Sequence, residues 1–165
     1  MESYLAAPGA VVKVTGAYYL TGREHADFDT TQEHGAPNTT SDLAFKGVLD
    51  DRARAVWRGV IRVDRGAQKT DAYQENRNLL LSTDAQATPI PGLEIEANDV
   101  RCTHGATVGQ VDQGQLFYLM ARGLTKGQAQ RLIVRGFFEN VLARVELEPV
   151  REALADALEA RIPQG

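Results

Sequence analysis

A single cysteine, Cys102, stands in the 165 residues of this chain. That leaves nothing for an internal disulfide framework and fits a reducing cytosol. Nowhere do about 18 apolar residues run consecutively, so no helix is expected to span a membrane. The start, Met1 to Pro8, carries neither a charged leader nor a long apolar stretch, which argues against a secretory signal. Blocks of Lys or Arg are missing and the formal net charge is −4, so nucleic acid and anionic membranes are poor partners. No phosphate-cradling Gly-Lys-Ser/Thr loop occurs, which excludes nucleotide hydrolysis by the familiar route. Cys-x-x-Cys, His-Glu-x-x-His and Gly-x-Ser-x-Gly are also lacking. So is the Asn-Gly pair that closes tight hairpins.

What is present is ordinary globular material: 43% hydrophobic and 24% charged residues, enough for one domain with a core. Short apolar runs predict strands at Val11 to Val14 and Ala17 to Leu20, separated by Thr15 and Gly16. The polar stretch from Arg23 to Asp42 is too long for a structureless loop, and its threonines suit short strands. Further strands are expected at Phe45 to Leu49, Ala55 to Val63 and Asn78 to Ser82. In Ala55 to Val63, Trp57, Gly59, Ile61 and Val63 share one face and Arg58, Val60 and Arg62 the other. Leu93 to Asn98 alternates, with Leu93, Ile95 and Ala97 inward. Short strands recurring roughly every 10 to 20 residues fit a sandwich, a barrel or a parallel β-helix. Uniform strand length and missing hairpin signals lean toward the β-helix.

After residue 111 the period changes. Asp112 to Gln115 and Thr125 to Gln128 read as capping boxes. The first helix places Leu116, Leu119 and Met120 on one face and stops at Gly123. The second carries Ala129, Leu132, Ile133, Gly136, Phe137, Asn140 and Val141 as one stripe, mostly core, with one side open to a partner. A third begins at Glu148 and Pro149, with Leu154, Ala157 and Leu158 apolar, and ends near Ile162 and Pro163.

Chemistry concentrates in Val100 to Gln110, which holds Cys102 and His104. Two apart on a strand, they share a face. Thiolate and imidazole are soft-metal ligands, but two ligands do not close a site, so others would come from a partner chain. About 7 Å between them is too far for a catalytic hydrogen-bonded pair. The plainer reading is a buried thiol beside a surface histidine. His25 and His34, among Glu24, Asp27, Asp29 and Glu33, fit no metal template and read as turn polarity. Glu94, Glu96 and Asp99 could serve a carbohydrate-cleaving β-helix, although a solvated strand face explains them more simply.

Three stretches together resemble a known family: Asp71 to Ser82, Leu93 to Gly109, and Leu116 to Gly123. His34 to Thr39 and Phe45 to Leu49 add to the likeness. They are similar to the SufB/SufD family of iron–sulfur cluster assembly, SufD type. The resemblance implies a mainly β protein, a right-handed parallel β-helix over residues 1–111 followed by a C-terminal helical segment over 112–165. It implies a non-catalytic cytoplasmic scaffold that works with a SufB-like subunit and a SufC-like ABC ATPase, and self-pairs when isolated. His104, with Cys102 beside it, would face iron or a nascent cluster at the SufB interface; no tightly bound cofactor is implied. The helical segment would dock the ATPase, through residues such as Leu116, Phe117, Tyr118, Arg122, Arg131 and Arg135. Two departures bear on type: no cysteine lies in Gln74 to Ser82, and glycine rather than glutamate follows His104. Met1 falls where a longer member would already be inside its β-helix, so the likeness is to the C-terminal portion.

Overall fold

In a computed structural model that describes residues 1–162, eight parallel strands coil ahead of three helices. The strands are β1 (Glu2–Leu5), β2 (Val11–Leu20), β3 (His25–His34), β4 (Thr40–Leu49), β5 (Arg54–Val63), β6 (Asp71–Leu80), β7 (Gln86–Ile95) and β8 (Arg101–Gln110). Odd strands form one sheet in the order β1-β3-β5-β7, and even strands the other, β2-β4-β6-β8. Every pairing is parallel, and each residue stacks on one about thirty positions later: Val14 on Leu43, Leu43 on Gln74, Gln74 on His104. This is a parallel β-helix of about four rungs, as the resemblance implies. Sandwich and barrel are excluded by the pairing.

The corners explain why hairpin signals are missing. Chain reversal happens between sheets, and left-handed residues recur there at matching places. Gly9, Asn38 and Lys69 have φ of 77°, 57° and 61°. Backbone bonds tie them in file, Gly9 N–H to Pro37 O and Asn38 N–H to Gln68 O. The opposite corner repeats the device with Gly22 and Asp51.

Between the sheets lie Leu43, Leu49, Trp57, Ile61 and Val63, all essentially sealed. The predicted faces of Ala55 to Val63 hold, with Trp57, Gly59, Ile61 and Val63 inside. The polar stretch contains β3 and the start of β4, as expected. Val11 to Leu20 is one strand, not two. Gly16 stays in it because a Cβ there would lie 2.7 Å from the Phe45 ring, which occupies that space. The run Asn78 to Ser82 is the tail of a longer strand, and Ser82 sits in a corner, donating to Asp51 O at 2.6 Å. Leu93 and Ile95 do stack over Ile61 and Val63, yet they are 37% and 41% exposed. They lie on the last rung, where among the described residues nothing stacks above them. The strand also ends at Ile95, leaving Ala97 in the corner.

Helices α1 (Gln113–Met120), α2 (Lys126–Leu142) and α3 (Glu148–Arg161) follow. The Asp112 carboxylate caps α1, and Gly123 closes the next turn with φ of 96°. Thr125 and Gln128 form the expected reciprocal capping box on α2. The stripe of α2 is rotated from the expected one: Ala129, Val134, Phe138 and Val141 are buried, whereas Leu132 and Asn140 are exposed. Two apolar stripes compete on this helix. Val134, Phe138 and Val141 win because they meet Tyr19 and Val48 on the outer face of the even sheet. In α3 no residue is fully buried, and Leu154 and Ala157 face solvent. Ionic contacts hold this segment to the coil: Arg144 lies 3.0 Å from Asp42, and Arg161 2.6 Å from Glu24. Lys46 is buried beneath α2, donating to Phe137 O at 2.8 Å with its ammonium over the Phe137 ring. Pro163 lies outside the described residues, and no described helix is long and apolar enough to cross a membrane.

Candidate functional site

His104 and Cys102 are on β8, the final strand of the even sheet. Both belong to the parity that points between the sheets, since Cys102 stacks on Ala72 and His104 on Gln74. Ala72 and Gln74 are sealed. His104 is exposed all the same, because its rung is the last one. The imidazole therefore stands at the open mouth of the coil, above a fully buried amide. Gln74 is fixed there by donating Nε2–H to the carbonyls of Gly59 and Gly92, each at 3.2 Å.

Cys102 is half-buried among Ile61, Val63, Ala67, Ala72, Ala97 and Val100. Burial pushes its thiol up from the ordinary range, and the nearby Asp71 charge adds to that. The thiolate is thus disfavoured here. Asp71 itself is held below the usual carboxylate range by the Arg101 guanidinium beside it. Of the two, the imidazole is the more available ligand. Among the described residues, no group of three or more His, Cys, Asp or Glu side chains could hold a metal ion.

His34 is not near this mouth. It is sealed, with Nδ1 2.7 Å from Thr39 Oγ1 and Nε2 2.9 Å from Ser41 Oγ. His25 lies on the outer face, 3.3 Å from Asp27. Glu94 is also on an outer face, where Arg62 engages it at 2.6 Å. Its neighbour of like parity, Glu96, lies beyond the end of β7.

In the helical segment, Leu116 is buried and props α1, while Phe117 and Tyr118 are 74% and 56% exposed. Arg122 stacks on the Tyr118 ring at 4.6 Å. Arg131 and Arg135 both reach Glu159 of α3, at 3.5 and 3.6 Å. A groove of about 900 Å³ runs between α2 and α3, lined by Leu132, Arg135, Leu142, Arg151 and Leu158. Sequence reading missed the buried polar file under the mouth, Gln74, Asn76 and Asn78. Its signal was the alternation Gln-x-Asn-x-Asn within β6.

Comparison with known proteins gives one consistent result. Residues 1–137 match the family model described as SUF system FeS cluster assembly, SufBD core domain. The chain is 37% identical over 142 residues to the iron–sulfur cluster assembly protein SufD of Escherichia coli, covering 86% of this chain and 34% of that protein. Against SufD of Bacillus subtilis it is 35% identical over 141 residues, with 86% and 32% covered. An iron–sulfur cluster assembly SufBD family protein of Mycobacterium tuberculosis is 35% identical over 159 residues, with 92% and 40% covered. The chain thus spans about two fifths or less of the length of these relatives.

Proposed function

Since the chain belongs to the SufBD core family of the SUF system, we propose that it acts as a SufD-type scaffold in iron–sulfur cluster assembly. In this reading it pairs with a SufB-like subunit, and a SufC-like ABC ATPase supplies nucleotide hydrolysis. Iron or the nascent cluster is cargo at the subunit boundary. His104 offers an imidazole nitrogen to it, a ligand type suited to iron. The remaining ligands come from the partner. Cys102, half-buried and with its thiol pushed up, is the lesser candidate.

The observation that carries this reading is the exposed His104 on the last rung, directly above the sealed Gln74 and Leu43. Support for ATPase docking is the uncovered aromatic and basic surface of Phe117, Tyr118 and Arg122, backed by Leu116. Arg135 is exposed on α2 beside Glu159 of α3 and offers a second basic position. The scaffold works in the cytoplasm and is not itself a catalyst, which suits a sequence without a phosphate loop.

The test is reconstitution of the His104→Ala chain with SufB-type and SufC-type subunits, iron and sulfide, read by visible absorbance. Cluster formation is expected to fall at least about tenfold while the subunits still co-elute. Full assembly by the variant removes the role of His104.

A further inference from the structure

The amide beneath His104 is only half satisfied. Gln74 has no exposure, and its Nε2 donates to Gly59 O and Gly92 O, each at 3.2 Å. Turning the amide over would set its oxygen against two carbonyl oxygens, so nitrogen and oxygen are fixed in place. Oε1 then accepts from nothing among the described residues. Two buried donors of the same interior, Trp57 Nε1 and Asn76 Nδ2, also lack partners, so neither serves it. On the β5 side the oxygen is walled in: a Cβ at Gly59 would lie 2.7 Å from Gln74 Oε1 and 2.2 Å from Trp57 Cζ2. A sealed acceptor left open is uncommon and calls for a donor.

His104 has the opposite lack. It is the register partner of Gln74, one rung on and of the same inward parity, roughly 4.8 Å away along the stack. Its ring makes no hydrogen bond or ion pair among the described residues. An imidazole that binds a metal through one nitrogen almost always donates its other N–H to an oxygen, which fixes tautomer and ring orientation. The inward neighbours on β8 offer no such oxygen: Cys102 carries a thiol and Ala106 a methyl group. The amide oxygen directly below does.

We infer that Gln74 is the positioning residue for His104. Its Oε1 accepts the N–H of one ring nitrogen and leaves the other nitrogen directed out of the mouth. The carbonyls of Gly59 and Gly92 hold the amide, and the amide holds the ring. The backbone of two odd strands thereby sets the heading of a ligand on the even sheet. The inference rests on the proposed reading only for what the ring binds; the contact itself belongs to this chain.

Ring N–H signals of the full chain labelled with nitrogen-15, recorded at pH 8 and assigned by their loss in His104→Gln, test the contact. A His104 ring N–H signal protected from exchange is expected in the parent and is lost in Gln74→Met, whose side chain has similar length and no oxygen. Reconstitution with SufB-type and SufC-type subunits, iron and sulfide tests the role. Gln74→Met should lower cluster formation about 10–100-fold while the subunits still co-elute. Absence of the signal from the parent, or its persistence unchanged in Gln74→Met, overturns the contact. Full assembly by Gln74→Met where His104→Ala fails overturns the positioning role and leaves the His104 reading standing. Full assembly by both variants overturns the two together. If Gln74→Met loses its cooperative melt, a crystal structure of the parent in the complex decides. A ring nitrogen within about 3.2 Å of Gln74 Oε1 supports the contact, and a longer separation overturns it.

Discussion

Truncating Phe138 asks whether the helical segment is held by the stripe the fold selects. Phe138 is 2% exposed and packs with Tyr19, Val48, Val134 and Val141 where α2 crosses the even sheet. Phe138→Ala removes a ring from a site that the rigid sheet cannot collapse into, at a cost of about 3–5 kcal/mol. In a chain of this size each kcal/mol moves the melting temperature by about 2–4 °C, so the drop is on the order of 10 °C. Leu132 belongs to the competing stripe and is 51% exposed. Leu132→Ala gives up about 1 kcal/mol or less. Thermal and urea unfolding by circular dichroism measure both variants. Amide exchange in α2 separates loss of the helix from loss of the coil, since α2 can open first. Equal costs for the two substitutions would refute the packing argument, and a larger cost for Leu132 would restore the stripe read from periodicity.

Two further outcomes follow from buried groups. Burial holds the His34 ring below the ordinary histidine range. Its neutral form is the one folded, so this contribution is complete above about pH 6.5 and is lost as pH falls below that. The melting temperature of the parent should drop between pH 7 and pH 5 more steeply than that of His34→Gln; parallel curves would show that His34 does not carry the effect. Cys102, raised by burial, should alkylate with iodoacetamide at pH 7 at least about tenfold slower than a free thiol and speed up in urea. Labelling at the free-thiol rate in the folded chain would mean that the thiol is open to the mouth.

Much of the coil was legible because alternation survives wherever a rung is covered. Arg54 to Val63 shows this: Trp57, Ile61 and Val63 are sealed, and Arg58 and Arg62 wet. Reading failed where neighbours a rung away decide the outcome. Gly16 looks like a turn until Phe45 is found filling its side-chain space. No strand was expected at Gln86 to Pro91, yet both prolines stay in β7 because even residues bond to β5 and odd Pro89 and Pro91 fall on the open edge. The rotated stripe of α2 has the same origin, since periodicity shows that a helix is amphipathic but not which of two apolar stripes meets a sheet. The family resemblance, not residue type and spacing, singled out His104, and its accessibility depends on how many rungs follow it.

That dependence is what joins fold to site. His34 and His104 both point between the sheets of the same coil. His34 has rungs on both sides and is closed off, with each ring nitrogen within hydrogen-bond distance of a hydroxyl. An imidazole so enclosed is structural. His104 stands directly over Gln74, which has no exposure at all, and one more rung would enclose it in the same way. Its availability therefore comes from its place at the end of a stack, not from an unusual local environment.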